Sequence, residues 1–188
     1  MSKDSRHLVK ILRHRLVNLG LVPDSEGYVA LSDIKKSVIS LSELKIPQVL
    51  EMVKVDNKGR MSTKIVDEQL YIRANQGHST ASGSLINDGD SLTRILEPID
   101  GVFHATYKNL FMSIIKTGLN RMSRKHIHIA KSLTAKSGKR SKCDLLVYID
   151  MNAAMKDGIL FYESENGVIL TEGKDGVLEP KYLKYVYL

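Results

Sequence analysis

A single cysteine, Cys143, occurs in the 188 residues, which excludes an internal disulfide and a cysteine-based zinc site. Long apolar runs are missing too. The longest buried-looking pieces are short, such as LLVYI (145–149), so a transmembrane helix is excluded and no membrane partner is expected. The first ten residues, MSKDSRHLVK, hold no apolar core, and no secretory signal is expected. These absences together predict a protein of a reducing cytoplasm. One stretch also lacks acid. Residues 101–143 carry ten Lys or Arg and no Asp or Glu, whereas 144–188 carry four basic and eight acidic side chains. A surface kept only for solubility normally mixes its signs, so this block points to an anionic partner, phosphate first. Charge alone does not choose between nucleic acid and a nucleotide cofactor.

What is present is ordinary for a folded chain: 43% apolar and 26% charged residues, with a net charge of +7. The length fits one domain or two small ones. Residues 7–21 read as an amphipathic helix, with Leu8, Leu16 and Leu19 within about 40° of Leu12 around the axis. Lys10, Arg13 and His14 fall on the opposite face. A short strand (27–31), helices at about 32–39 and 42–55 with Ser32 and Ser42 as caps, and a hairpin (58–76) follow. That order suggests a winged-helix lobe over residues 1–80. The Gly- and Ser-rich segment 81–100 reads as a linker. Residues 101–188 read as an α+β lobe on a mixed or antiparallel sheet, with strands at 102–106, 126–130, 144–150, 159–162, 167–171 and 182–188. One helix is expected at about 107–117, and 131–142 as a basic loop or short helix.

Four polar clusters stand out. Arg13-His14 lies on the helix face, RANQGHS (73–79) crowds two amides and two cationic groups around a glycine, and His104 precedes Thr106 at a strand end. In RKHIHI (124–129), strand alternation would put Arg124, His126 and His128 on one face. Each has a plainer reading: a solvated helix face, a satisfied core histidine, a polar turn. His126 and His128 resemble a metal pair but find no third ligand in 101–143, so no metal is expected.

Taken together, LxxxLRH (8–14), GYVxLxDI (27–34), IRANQGHS (72–79), FHAT (103–106), GLxRMSRKHIHIA (118–130), GILFYxSxNGVILTEG (158–173) and PKYLK (180–184) resemble the tRNA (RNA) 2′-phosphotransferase family, in the family's order and over about residues 7–184. The resemblance implies a winged-helix lobe followed by an ADP-ribosyltransferase-like lobe. It implies removal of an internal, splice-junction 2′-phosphate from RNA, with tRNA as the expected substrate and NAD+ consumed as co-substrate. The RNA 2′-phosphate attacks the nicotinamide-bearing anomeric carbon and expels nicotinamide. The neighbouring ribose 2″-hydroxyl then attacks phosphorus, freeing the RNA 2′-hydroxyl and releasing ADP-ribose 1″,2″-cyclic phosphate.

Carried over by motif, the essential residues are Arg13, His14, Arg73 and Arg124. Guanidinium groups suit a reaction that builds negative charge on a phosphoryl centre. His104, Thr106 and His128, with His126 as the alternative second histidine, are expected to contact NAD+. Lys10, Gln76, His78 and Lys125 are expected on the RNA or its phosphate. Two positions depart from the family: Ala105 replaces its usual Gly, which predicts weaker NAD+ binding, and Leu16 stands where Pro is frequent. The protein is expected to be a monomer. An ADP-ribosyltransferase acting on terminal phosphates, or a winged-helix protein that only binds nucleic acid, are the competing readings.

Overall fold

A computed structural model describes residues 2–138 and 142–187, the side chains of Val186 and Tyr187 excepted. The chain forms two compact units, Met1–Ser91 and Leu92–Leu188. Both mix helices with antiparallel strands, as the expected α+β class requires. Among the described residues no helix is long and apolar enough to cross a membrane.

In the first unit, α1 (Lys3–His14) starts where the Ser2 hydroxyl accepts the Ser5 N–H at 3.1 Å, with Asp4 favourably placed in the first turn. It buries Leu8, Ile11 and Leu12. The helix expected over 7–21 is thus displaced towards the N-terminus. After His14 the backbone leaves helical geometry, and Leu16 and Leu19 reach the core through a 3₁₀ turn that Gly20 ends in the left-handed region. β1 (Val29–Ala30) runs straight into α2 (Leu31–Ser37), so Ser32 lies inside the helix and is not its cap. α3 (Ile46–Lys54) begins later than 42 because Pro47 fits its first turn, where the Lys45 N–H donates to Gln48 Oε1 at 2.8 Å. Ser42 is therefore not its cap. β2 (Met61–Val66) and β3 (Gln69–Ala74) form the expected hairpin, closed by Asp67 and Glu68, both at positive φ. β1 pairs with the other edge of β3, giving the order β1-β3-β2. The core lies where Leu8, Leu12, Ile34, Val49, Met61 and Ile72 meet. Two single-turn helices, α4 (Thr80–Gly83) and α5 (Asp88–Ser91), complete the unit.

The second unit contains β4 (Thr93–Arg94), β5 (Phe103–Thr106), α6 (Phe111–Thr117), β6 (Leu119–Asn120), β7 (Ile127–Ile129), β8 (Leu145–Ile149), α7 (Met151–Lys156), β9 (Tyr162–Glu163), β10 (Ile169–Thr171), β11 (Val177–Leu178) and β12 (Leu183–Tyr187). Two sheets, β4-β9-β10-β7 and β12-β8-β5, are stitched together where the Phe103 N–H donates to the Ala130 carbonyl at 3.1 Å and the Ala130 N–H returns a bond to Phe103 at 2.8 Å. This stitch brings the ends of β5 and β7 side by side. α7 was not anticipated, although Asp150, which accepts the Ala153 N–H at 2.9 Å, is an ordinary helix cap before an alanine pair. The described part of 131–142 contains neither helix nor strand; residues 139–141, and Leu188 of the last expected strand, lie outside the described residues.

Gly118 ends α6 at φ +81, and a Cβ there would lie 2.2 Å from the Leu178 carbonyl oxygen. Backbone cannot retreat as a side chain can. Gly118→Ala should cost about 3 kcal/mol, from left-handed strain plus overpacking. Urea denaturation would show it as a lowered midpoint; an unchanged midpoint would refute the clash.

Candidate functional site

Arg13 and His14 are the last two residues of α1, with Lys10 exposed one turn earlier. The segment after β3 folds onto this helix end. The Ser79 N–H donates to the Arg13 carbonyl at 2.8 Å, and the Ser79 hydroxyl donates to the same oxygen at 3.3 Å. Gly77, at φ +89, lies so close that a Cβ would sit 3.1 Å from Arg13 Nε and Cζ. Bare glycine backbone is therefore the wall against which the guanidinium rests. Asn75 anchors the same segment, its side-chain amide donating to the Gly59 carbonyl at 2.8 Å and its N–H to the Arg60 carbonyl at 2.9 Å. Gln76 and His78 are half-buried within it, and His14 is exposed.

Arg73 precedes this segment on β3. It alternates with buried Ile72 and Ala74 and so faces away from the core. Its Nη1 donates to the Glu26 carbonyl at 3.0 Å. LRH and RANQGHS, far apart in sequence, are thus neighbours in the first unit.

In the second unit, His104 on β5 places Nδ1 2.7 Å from the carbonyl oxygen of His128 on β7. A carbonyl only accepts, so Nδ1 is the donor in this contact. Thr106 ends β5 as a buried residue, and His126 and His128 are also buried. β7 covers only Ile127–Ile129, so of Arg124, His126 and His128, expected on one strand face, only His128 lies within the strand. Arg124 is exposed; its N–H donates to the Arg121 carbonyl at 3.1 Å, and its carbonyl accepts from Arg121 Nη1 at 2.8 Å. Lys125, beside it, is half-buried. The Ala105 methyl packs into a buried cluster with Phe103, Ala130 and Leu146, so the extra carbon relative to Gly is taken up by the core.

These motifs lie in both units, and the sequence similarity also spans both: the model of the RNA 2′-phosphotransferase, Tpt1 / KptA family matches residues 2–173. The chain belongs to that family. It is an RNA 2′-phosphotransferase by membership, and hence a transferase. The chain is 38% identical to the tRNA 2′-phosphotransferase 1 of Danio rerio, over 95% of its own length and 81% of the relative's. It is 36% identical to the Homo sapiens protein of the same name, over 96% of its length and 73% of the relative's. A Schizosaccharomyces pombe relative is 39% identical over 97% of this chain, which spans about half that protein's length. In this family member, sequence reasoning missed the backbone role of Gly77 and the two hydrogen bonds that Ser79 donates to the Arg13 carbonyl. The signal available was the crowding of polar groups around one glycine.

Proposed function

We propose that the chain is an NAD-dependent enzyme that removes an internal, splice-junction 2′-phosphate from RNA, with tRNA as substrate, and that it acts as a cytoplasmic monomer. In this reading residues 1–80 are a winged-helix lobe and 101–188 an ADP-ribosyltransferase-like lobe; the segment 81–100, expected as a linker, is instead divided between the two units at Ser91. One observation carries it: the Arg13-His14 and RANQGHS motifs, remote in sequence, are packed together by Gly77 and Ser79. Helix, strand, two helices and hairpin in the first unit support the winged-helix assignment.

Arg13, Arg73 and Arg124 hold phosphate oxygens through charge-assisted bonds and stabilise the charge that builds on phosphorus. His14 orients the group or moves a proton, since an imidazole titrates near working pH. Lys10, Gln76, His78 and Lys125 contact the RNA strand or its phosphate. NAD+ contributes an electrophilic anomeric carbon with nicotinamide as its leaving group. The residues of the second unit suit it. His104, its ring held by the bond from Nδ1 to the His128 carbonyl, contacts a ribose hydroxyl, while Thr106 and either His128 or His126 complete the contact.

His104→Leu should therefore raise KM for NAD+ about tenfold while KM for RNA stays near the parent value. Equal changes in both constants would remove His104 from the NAD+ contact.

The deciding experiment incubates the protein with a short RNA bearing one internal 2′-phosphate, with and without NAD+. Loss of the phosphate only with NAD+, together with nicotinamide and ADP-ribose 1″,2″-cyclic phosphate, is the expected result. An intact 2′-phosphate at saturating NAD+ would overturn the reading.

A further inference from the structure

Arg73 is held by more than the Glu26 carbonyl. Its guanidinium carbon lies 4.7 Å from the centroid of the Tyr28 ring, and Lys64 Nζ lies 4.3 Å from the same centroid. Both cations are within the roughly 6 Å at which an aromatic face attracts positive charge. The ring and the carbonyl belong to one short turn before β1, and that turn is tightly tied. Asp24 Oδ1 accepts the Tyr28 N–H at 2.8 Å and the Glu26 N–H at 3.1 Å. The Asp24 N–H donates to the Tyr28 carbonyl at 2.9 Å, and the Gly27 N–H to the Asp24 carbonyl at 3.0 Å.

Lys64 braces the turn from the strand opposite. Its ammonium donates to Asp24 Oδ2 at 2.7 Å and to Glu26 Oε2 at 3.1 Å. Burial alone would raise the Asp24 carboxyl, but Lys64 and the turn N–H groups outweigh it and hold it below its ordinary value. The second cation on the ring is thereby matched by two carboxylates.

A guanidinium on an aromatic face with one nitrogen bonded to a fixed carbonyl has its plane and its direction set. An arginine that must grip a phosphoryl group needs this more than an arginine at an open surface does.

We propose that Tyr28 is a positioning residue for Arg73, its ring and the Glu26 carbonyl together presenting the guanidinium to the transferred phosphate. The inference rests on the phosphate-holding role assigned to Arg73. Tyr28 acts through Arg73 and touches no reacting atom.

The test resolves the two chemical steps in single turnover on the 2′-phosphorylated RNA, with thermal unfolding recorded for each variant. Tyr28→Leu should slow the second step on the order of tenfold and let ADP-ribosylated RNA build up. Tyr28→Phe, which keeps the ring, should restore it. Added to Arg73→Ala, Tyr28→Leu should have no further effect on that step, because the residue it positions is gone. The Arg73 Nε–H resonance should lose its ring-current shift in Tyr28→Leu and keep it in Tyr28→Phe, a readout that needs no turnover and remains legible if the leucine variant is less stable. Equal slowing of both steps, additivity with Arg73→Ala, or an unmoved Nε–H resonance would each overturn the inference. A parent enzyme inert towards the RNA would instead overturn the proposed function, and so separates the two failures.

Discussion

Arg73→Ala and Arg124→Ala should each stall the reaction halfway, with NAD+ consumed, nicotinamide released and ADP-ribosylated RNA accumulating in place of the 2′-hydroxyl product. The asymmetry follows from charge. A phosphate monoester is already an anion and needs no deprotonation to attack a carbon that carries a good leaving group. The second step places an additional nucleophile on phosphorus and spreads charge over its oxygens, where bidentate guanidinium contacts count most. Removing one such contact should slow that step by about 10² to 10³, with a smaller effect on nicotinamide release. Gel analysis of the RNA beside nicotinamide quantification would separate the steps. Equal loss of nicotinamide release and of final product would show that these arginines serve binding alone.

Gly77→Ala should be nearly as damaging, although a methyl group carries no chemistry. The position holds φ +89, where an L side chain is strained by about 1–2 kcal/mol, and the new Cβ would meet the Arg13 guanidinium at 3.1 Å. The atoms met are those of the Arg13 side chain and not backbone, so the substitution should displace the arginine. A shift of about 1 Å in a positioning group can cost about 10² in rate. We expect kcat to fall by about that factor, with near-UV circular dichroism little changed and the unfolding midpoint lowered by only the few degrees that the backbone strain accounts for. Full activity from a folded Gly77→Ala protein would show that the glycine wall is dispensable.

The elements read best from the sequence were those with strong local signals. Leu8 and Leu12 sit in the core as their spacing predicts, and the 61–74 hairpin follows from its β-branched and aromatic residues. Boundaries failed where one residue decided them: Ser2 starts α1 earlier and Pro47 starts α3 later than the periodicity alone indicates. Strand alternation carried back to Arg124 and His126 overruns β7, which begins only at Ile127. The packing of the site was not legible at all. Nothing local marks Tyr28 as the ring under Arg73, since that contact needs β1 and β3 in register. Gly77 advertised freedom of the backbone but not which side chain would come to rest on it.

The bond between Ser79 and the Arg13 carbonyl joins residues 66 positions apart. Closing so long a loop carries an entropic cost that this bond alone does not repay, so it depends on the packing of α1 against the hairpin. Exchange of the Ser79 amide with solvent therefore reports this contact itself: fraying of either motif exposes it, and it is protected only while the two are packed together.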